Sequence, residues 1–233
     1  MLFAKAPQFW RWHLGLPLLL AAFMLLVYPT TGLDTDLIAP YFDAATRSFP
    51  LDQHWFFEKI MHTGLKNCIV AVAIGVLLAW LAGFKIKAFA PQQQLYLWTF
   101  VGMVVTTSAV SLLKYNSIHG CPSSLSLYGG TLPYLKLFAN LPAGVEMGKC
   151  FPGGHASGGF ALMAFYFALR DAKPKLATYM LALGLLMGFV MGWAQMMRGA
   201  HFLSHNLWTA WLVWMLLLAQ YLVWPPAKLA FKA

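Results

Sequence analysis

Two cationic side chains and three histidines form a set that suits phosphate chemistry. Lys114, His155, Arg198, His201 and His205 all lie next to the ends of apolar stretches. Lysine and arginine neutralise phosphate oxygens, and the arginine fork contacts two oxygens at once. One histidine can attack phosphorus as a nucleophile, and a second can donate a proton to the leaving oxygen. These residue types indicate a phosphoryl-transfer site if the fold brings them together.

The segment Pro152-Gly153-Gly154-His155 predicts a tight turn that opens a helix. A helix N-terminus offers free N–H groups and the positive end of the dipole, and both favour an anion. Glycines let the backbone approach that anion closely. We therefore expect Gly153 and Gly154 to bind phosphate. The alternative is that these glycines only allow close helix packing.

The composition is typical of a membrane protein. Of the 233 residues, 60% are hydrophobic and only 10% are charged. This excludes intrinsic disorder and argues against a soluble single-core domain. Six apolar stretches approach the length of a membrane span, which is about 20 residues. They cover residues 12–28, 65–84, 95–113, 156–169, 176–197 and 207–224. We expect an all-α, six-transmembrane-helix bundle that forms one domain over residues 1–233.

The charges predict how the bundle is oriented. Nine basic residues fall on one side, namely Lys5, Arg11, Lys85, Lys87, Arg170, Lys173, Lys175, Lys228 and Lys232. The positive-inside rule makes this side cytoplasmic and places both termini there. Of the seven acidic residues, only Asp171 shares that side. The net charge of +9 is therefore interpreted as topology, and no nucleic-acid partner is expected.

The same topology collects the polar residues at the outer ends of four spans. These residues are Lys114 after the third span, His155 before the fourth, Gln195 and Arg198 at the end of the fifth, and His201 and His205 before the sixth. Ionisable residues near membrane depth are costly, which makes them functional candidates. Taken singly, Lys114 is equally well explained as a snorkelling side chain. The convergence of the whole set favours a site.

These residues resemble the three motifs of the PAP2 phosphatases (type 2 phosphatidic acid phosphatases), K-x6-R-P, P-S-G-H and S-R-x5-H-x3-D. The first motif corresponds to Lys114 through Pro122, with Cys121 at the arginine position. The second corresponds to Pro152-Gly153-Gly154-His155, with Gly153 at the serine position. The third runs from Ala194 to His205, with Gln195 at the arginine position and His205 at the aspartate position. The motif region covers about residues 114–209.

The resemblance implies a role for each matching residue. His201 would attack phosphorus and become phosphohistidine, and His155 would protonate the leaving oxygen. Lys114 would bind phosphate oxygens, with no metal and no cofactor. Arg198, three residues after Gln195, lies near the same helix face and would replace the missing cation, while Gln195 still donates to phosphate. The alternative is that Arg198 only meets lipid headgroups.

His205 departs from the motif in a way that affects His201. Four residues separate the two, so they are neighbours if both are helical. A neutral His205 would accept the proton of His201 and fix its tautomer, but it cannot supply the aspartate charge. A degenerate, inactive family member is the alternative.

Cys121 and Cys150 both lie in the loop between the third and fourth spans. An extracytoplasmic loop of a Gram-negative cell is in an oxidising compartment, so we expect a disulfide that ties the Lys114 motif to the Gly-Gly-His turn. Two free thiols are the alternative.

The predicted function is hydrolysis of a lipid phosphate or lipid diphosphate at the outer face of a bacterial inner membrane, with the site facing the periplasm. Family substrates include undecaprenyl diphosphate, phosphatidylglycerol phosphate, phosphatidic acid and lipid A phosphates. One alternative is a phosphotransferase that passes the phosphate to another lipid, such as lipid A. The other is a non-catalytic protein that binds or transports a lipid phosphate. The partners expected are this substrate and the surrounding membrane lipids.

Overall fold

The computed structural model describes residues 6–226, which form an all-helical fold without β-strands. Lys5, Lys228 and Lys232, three of the basic residues that predicted the orientation, lie outside this range. The helices in chain order are α1 (Pro7–Thr30), α2 (Leu33–Ile38), α3 (Phe56–Ala82), α4 (Ala90–Tyr115), α5 (Gly154–Ala161), α6 (Met163–Leu169), α7 (Pro174–Met197) and α8 (Leu203–Val223).

Helices α1, α3, α4, α7 and α8 are long and apolar enough to cross a membrane. Many of their large apolar side chains are exposed, including Leu26 at 74% and Leu186 at 60%. In water such an apolar surface would be costly, whereas lipid chains solvate it. The protein is therefore a multi-pass membrane protein.

The fourth predicted span is present as two short helices, α5 and α6, which meet at Leu162. Together they occupy the centre of the bundle and contact α4, α7 and α8. Phe160, Met163 and Phe167 are at most 1% exposed. Because this element faces protein rather than lipid, it does not need the long apolar run that identifies the other spans.

Helix α5 packs very closely on α7. A Cβ atom at Gly159 would lie 2.5 Å from the backbone nitrogen of Gly188, which is closer than real Cβ contacts. Small residues at such a crossing let two backbones approach, the usual means of helix association in membranes. The crossing fixes the beginning of α5 relative to α7, and both helices carry candidate site residues.

Helix α3 begins earlier than the second predicted span. Its first part, Phe56–Gly64, is π-helical and continues directly into the α-helix Leu65–Ala82. The sequence of residues 51–61 is compatible with either an interfacial helix or an ordered loop, and from Phe56 onwards the structure shows a helix that continues into the span. Helix α3 thus extends its first turns towards the start of α5.

A proline in α1 is accommodated by α8. Pro17 has no N–H to donate to the carbonyl of His13, so that carbonyl loses its helical partner. The indole of Trp214 in α8 donates to it instead, at 2.9 Å. The contact docks α1 against α8, the helix that carries His205.

Candidate active site

Lys114 lies beside the N-terminus of α5. It occupies the last turn of α4, and its Nζ is 3.8 Å from where a Cβ of Gly154 would stand. The N–H of Gly153 donates to the hydroxyl of Thr209 in α8 at 2.8 Å, so this predicted phosphate donor is engaged within the protein. The bond fixes the turn that precedes His155.

His201 lies in the short turn between α7 and α8. Gly199 adopts a φ of +67°, a conformation that side chains rarely adopt, and the N–H of Ala200 donates to the carbonyl of Gln195 at 2.8 Å. The chain then re-enters a helix at Leu203. This sharp reversal presents His201 between the two helices, where it is 3% exposed.

His201 and His205 contact each other through their Nδ1 atoms, which are 3.2 Å apart. Since both atoms are ring nitrogens, one must carry the proton and the other must accept it. Burial, followed by the neighbouring His205, lowers the pKa of His201 well below its ordinary value. His201 is therefore held as a neutral imidazole, which is the nucleophilic form.

Asp34 supports this histidine pair from the short helix α2. Its carboxylate accepts hydrogen bonds from the backbone N–H of Ser204 at 2.9 Å and from the Ser204 hydroxyl at 2.6 Å. The hydroxyl of Tyr28 donates to the same carboxylate at 2.8 Å. Asp34 thus caps the N-terminus of α8 from a distant segment and fixes the turn next to His205.

Cys121 and Cys150 are joined by a disulfide. Cys150 is fully buried, and its Sγ lies 2.9 Å from the carbonyl oxygen of Ala200 and 3.6 Å from Nδ1 of His201. The disulfide therefore forms one wall around the His201 imidazole. It links the segment after Lys114 to the segment before Gly153.

Arg198 points towards the loop before α3. Its guanidinium forms a salt bridge with the Asp52 carboxylate at 2.9 Å and donates to the Asp52 carbonyl at 3.3 Å. A third contact joins it to Oε1 of Gln195 at 3.5 Å. Arg198 is thus partly neutralised by Asp52, although its charge still acts on His155.

Gln195 has a buried amide donor. Its Nε2 is buried and has no hydrogen-bond partner within residues 6–226. Unpartnered buried donors are costly in folded proteins and need an explanation. A bound phosphate oxygen would satisfy this donor.

His155 has a similarly unpartnered nitrogen. Its Nε2 is buried and finds no hydrogen-bond partner in the described part of the chain. Its ring stacks on His62 of α3, with 3.8 Å between ring centroids and 23° between planes. His155, Lys114 and His205 all act electrostatically on His201, so the candidate groups share one site.

A cavity of about 780 Å³ lies between α3 and α4 and reaches Lys114 and His155. Lys66, Lys114, Lys149 and His155 line its polar end. The rest of its wall is apolar and includes Ile69, Val70, Ala73, Phe100, Met103 and Val104. Val70 and Val104 are 49% and 42% exposed on the lipid-facing surface, so the cavity borders the membrane.

A comparison with known protein families assigns the chain to one of them. A family model described as the PAP2 superfamily matches residues 95–228, more than half of the chain. The chain belongs to the PAP2 superfamily. The match spans α4 to α8 and thus the elements that carry Lys114, His155, His201 and His205. No curated protein and no solved structure matched the chain.

PAP2 membership supports an enzyme of the lipid phosphatase type in general terms. Three of the positions that depart from the PAP2 motifs have distinct surroundings here. Cys121 is in the disulfide, Gln195 contacts Arg198, and His205 contacts His201. Gln195 and His205 each contact another candidate site residue, and Cys121 is bonded to Cys150, which lies against His201.

One group of side chains has the spacing of a metal site. The ligand atoms of Cys150, His201 and His205 lie within 4.8 Å of one another. The thiolate is the form of cysteine that binds metal, and the sulfur of Cys150 is in a disulfide. The group therefore offers only two imidazoles, fewer than the three protein ligands of a typical catalytic zinc site.

Sequence reasoning missed several residues of this PAP2 site. Asp34, Asp52, His62 and Thr209 belong to no motif, and their contacts join segments far apart in the chain. Asp34 offered a partial signal, because an acidic residue in an outer loop is available to cap a helix. No local pattern pointed to His62.

Proposed function

We propose that this PAP2 protein removes the terminal phosphate of a membrane lipid through a phosphohistidine intermediate on His201, without a metal ion. The observation that carries the proposal is the cavity whose apolar wall ends at Lys114 and His155. An amphipathic phosphate ester fits this division, with its hydrocarbon chain along the wall and its phosphate among the cations. A water-soluble phosphate without a hydrocarbon chain would leave the apolar part of the cavity unfilled.

The first half of the reaction transfers the phosphoryl group to the protein. Nε2 of His201 attacks phosphorus, the bond from phosphorus to the leaving oxygen breaks, and that oxygen takes a proton from His155. Nδ1 of His201 is held by His205, which fixes the tautomer that leaves Nε2 as the nucleophile. Lys114 and the amide of Gln195 bind the phosphate oxygens as charge develops.

The second half restores the enzyme. Water attacks the phosphohistidine, His155 accepts a proton from that water, and inorganic phosphate leaves. A lipid hydroxyl in place of water would give phosphotransfer through the same intermediate.

The site is proposed to face the outside of the cytoplasmic membrane, which is the periplasm in a Gram-negative bacterium. The positive-inside distribution of Arg11, Lys85, Lys87, Arg170 and Lys173 supports this orientation. An oxidising compartment also suits the disulfide beside His201. Substrates whose headgroups lie in the outer leaflet follow from this placement.

Phosphate release from lipid phosphates in detergent and EDTA tests the proposal. The panel contains undecaprenyl diphosphate, phosphatidylglycerol phosphate, phosphatidic acid and lipid A. We expect wild-type protein to release phosphate from at least one of them and His201→Ala to release none. Release that survives in His201→Ala would contradict the mechanism. Phosphate lost from the donor only when an acceptor lipid is added would identify a transferase instead.

A matched pair of variants tests the hydrocarbon site. Ala73 lines the cavity and Ala71, on the same helix, is exposed and does not. We expect Ala73→Phe to raise KM for a long-chain substrate while leaving a short-chain analogue unaffected. Ala71→Phe should change neither. Equal effects of the two variants would exclude the cavity as the lipid site.

A further inference from the structure

His62 packs against the face of the proposed proton donor. Its ring and that of His155 are separated by 3.8 Å between centroids and are nearly parallel, at 23°. Parallel stacking leaves no ring N–H of one pointing at a nitrogen of the other, so the pair does not exchange a proton directly. The contact instead fixes the plane of the His155 ring.

The stacking leaves the reactive edge of His155 unoccupied. Nε2 of His155 is buried and has no hydrogen-bond partner among residues 6–226, while His155 lines the polar end of the cavity. Most histidines used in proton transfer are oriented by a hydrogen bond from their second nitrogen. Here the face of the His62 ring orients His155 instead.

The backbone of α3 is shaped to deliver His62 to this position. The residues around it, Phe56–Gly64, form a π-helix nine residues long. Such segments are rare and are frequently found at functional sites. The π-helix ends at Gly64, two residues after His62, and the ordinary α-helix resumes at Leu65.

Charged groups surround the stacked pair on several elements. The carboxylates of Glu58 and Asp52 and the cations of Arg198 and Lys66 act on His62. Lys114, Lys66 and Arg198 also act on His155. In this cationic setting two protonated imidazoles in contact would repel each other, so the pair holds at most one proton.

We propose that His62 is a positioning residue for proton donation by His155, an inference that rests on the proposed phosphatase function. The stacked ring holds His155 with Nε2 directed at the leaving oxygen. His62 does not line the cavity and does not contact substrate in this account.

Leaving-group dependence separates this role from a structural one. An alkyl phosphate needs a proton on its leaving oxygen, whereas a nitrophenolate leaves without one. The substrate pair is decyl phosphate and a nitrophenyl phosphate that bears an alkyl chain of similar length. General acid catalysis contributes about 10²–10⁴-fold, and we assign part of it to positioning. We expect His62→Ala to lower kcat about 10-fold or more for decyl phosphate, and less than about 3-fold for the nitrophenyl ester.

Three further variants complete the experiment. His62→Phe keeps a ring face against His155 and should retain most of the decyl phosphatase rate. Ile60→Ala alters an exposed side chain on the same π-helix and should leave both rates unchanged. His155→Ala should show the same selectivity as His62→Ala with a larger loss.

The outcomes distinguish a failure of the positioning role of His62 from a failure of the proposed phosphatase function. Equal losses on both substrates in His62→Ala, or no loss on either, would overturn the positioning role while wild-type activity stands. A loss in His62→Phe as large as in His62→Ala would also overturn it, because the ring face would then be irrelevant. Wild-type protein without activity on any phosphate ester would overturn the proposed function and this inference together.

Discussion

Nδ1 of His201 lies 3.2 Å from Nδ1 of His205, and both rings are buried. The contact uses the nitrogen of His201 that faces away from a phosphoryl group on Nε2. PAP2 motifs have an aspartate at the position of His205, where it would pair with a charged intermediate. A neutral imidazole orients His201 equally well but stabilises its positive charge less.

We therefore expect His205→Ala to reduce kcat about 100-fold, within the usual range for a group that assists proton transfer. KM should change little, because His205 does not contact phosphate. A kcat near that of the wild type in His205→Ala would contradict the orienting role of His205.

The carboxylate of Asp34 gives a second prediction. Asp34→Ala leaves the N–H of Ser204 and the hydroxyl of Tyr28 without their acceptor. Loss of a helix cap costs about 1–2 kcal/mol, and the turn that carries His201 and His205 should loosen. Thermal unfolding in detergent and kcat should both fall.

Asp36→Ala is the matched control for this prediction. Asp36 lies in the same short helix but is exposed, so its removal should leave the melting temperature and kcat near wild type. Equal effects of the two substitutions would show that general loop charge, rather than the cap, is responsible.

The disulfide gives a third prediction. Cys121 and Cys150 are 29 residues apart, and closing a loop of that size stabilises a fold by about 3–4 kcal/mol in the chain-entropy view. Replacing both cysteines by serine should lower the melting temperature and reduce activity, because Cys150 lies against His201. Cys68→Ser, at an exposed position in α3, should do neither. Unchanged melting in the double variant would exclude a stabilising disulfide.

The burial of His201 gives a prediction about pH. Burial lowers the pKa of His201 well below its ordinary value of 6.5, so the folded protein binds fewer protons at this residue than the unfolded chain does. Stability from this residue is therefore complete above that value and is lost as the pH falls below it. Wild-type protein should lose more thermal stability between pH 7.5 and pH 5 than His201→Gln. Parallel losses would mean that His201 is not responsible.

The bundle itself was predictable because a membrane span leaves a long apolar run in the sequence. Helices α5 and α6, the fourth predicted span, are the exception. They are surrounded by protein and carry small residues such as Gly159, so they have no long apolar surface that faces lipid. For the start of α3, the sequence left an interfacial helix and an ordered loop open, and the structure shows a π-helix, Phe56–Gly64, that continues into the spanning helix.

The candidate site was predictable where its residues share a motif or a span end. Lys114, His155, His201 and His205 were placed together from topology alone. The contacts that orient them were not predictable, because they join distant segments. Asp34 reaches Ser204, Asp52 reaches Arg198 and His62 reaches His155 only through the tertiary fold. His13, which resembles an interfacial anchor in sequence, is buried and contacts the hydroxyl of Tyr166 at 2.6 Å.

Trapping the phosphorylated protein tests the central claim most directly. Protein mixed with a ³²P-labelled lipid phosphate is quenched in alkaline detergent, in which phosphohistidine survives, and the labelled peptide is identified by mass spectrometry. We predict label on His201 in wild-type protein, more of it in His155→Ala when an activated aryl phosphate is the donor, and none in His201→Ala. Steady phosphate release without any trapped label, or label that persists in His201→Ala, would contradict the account.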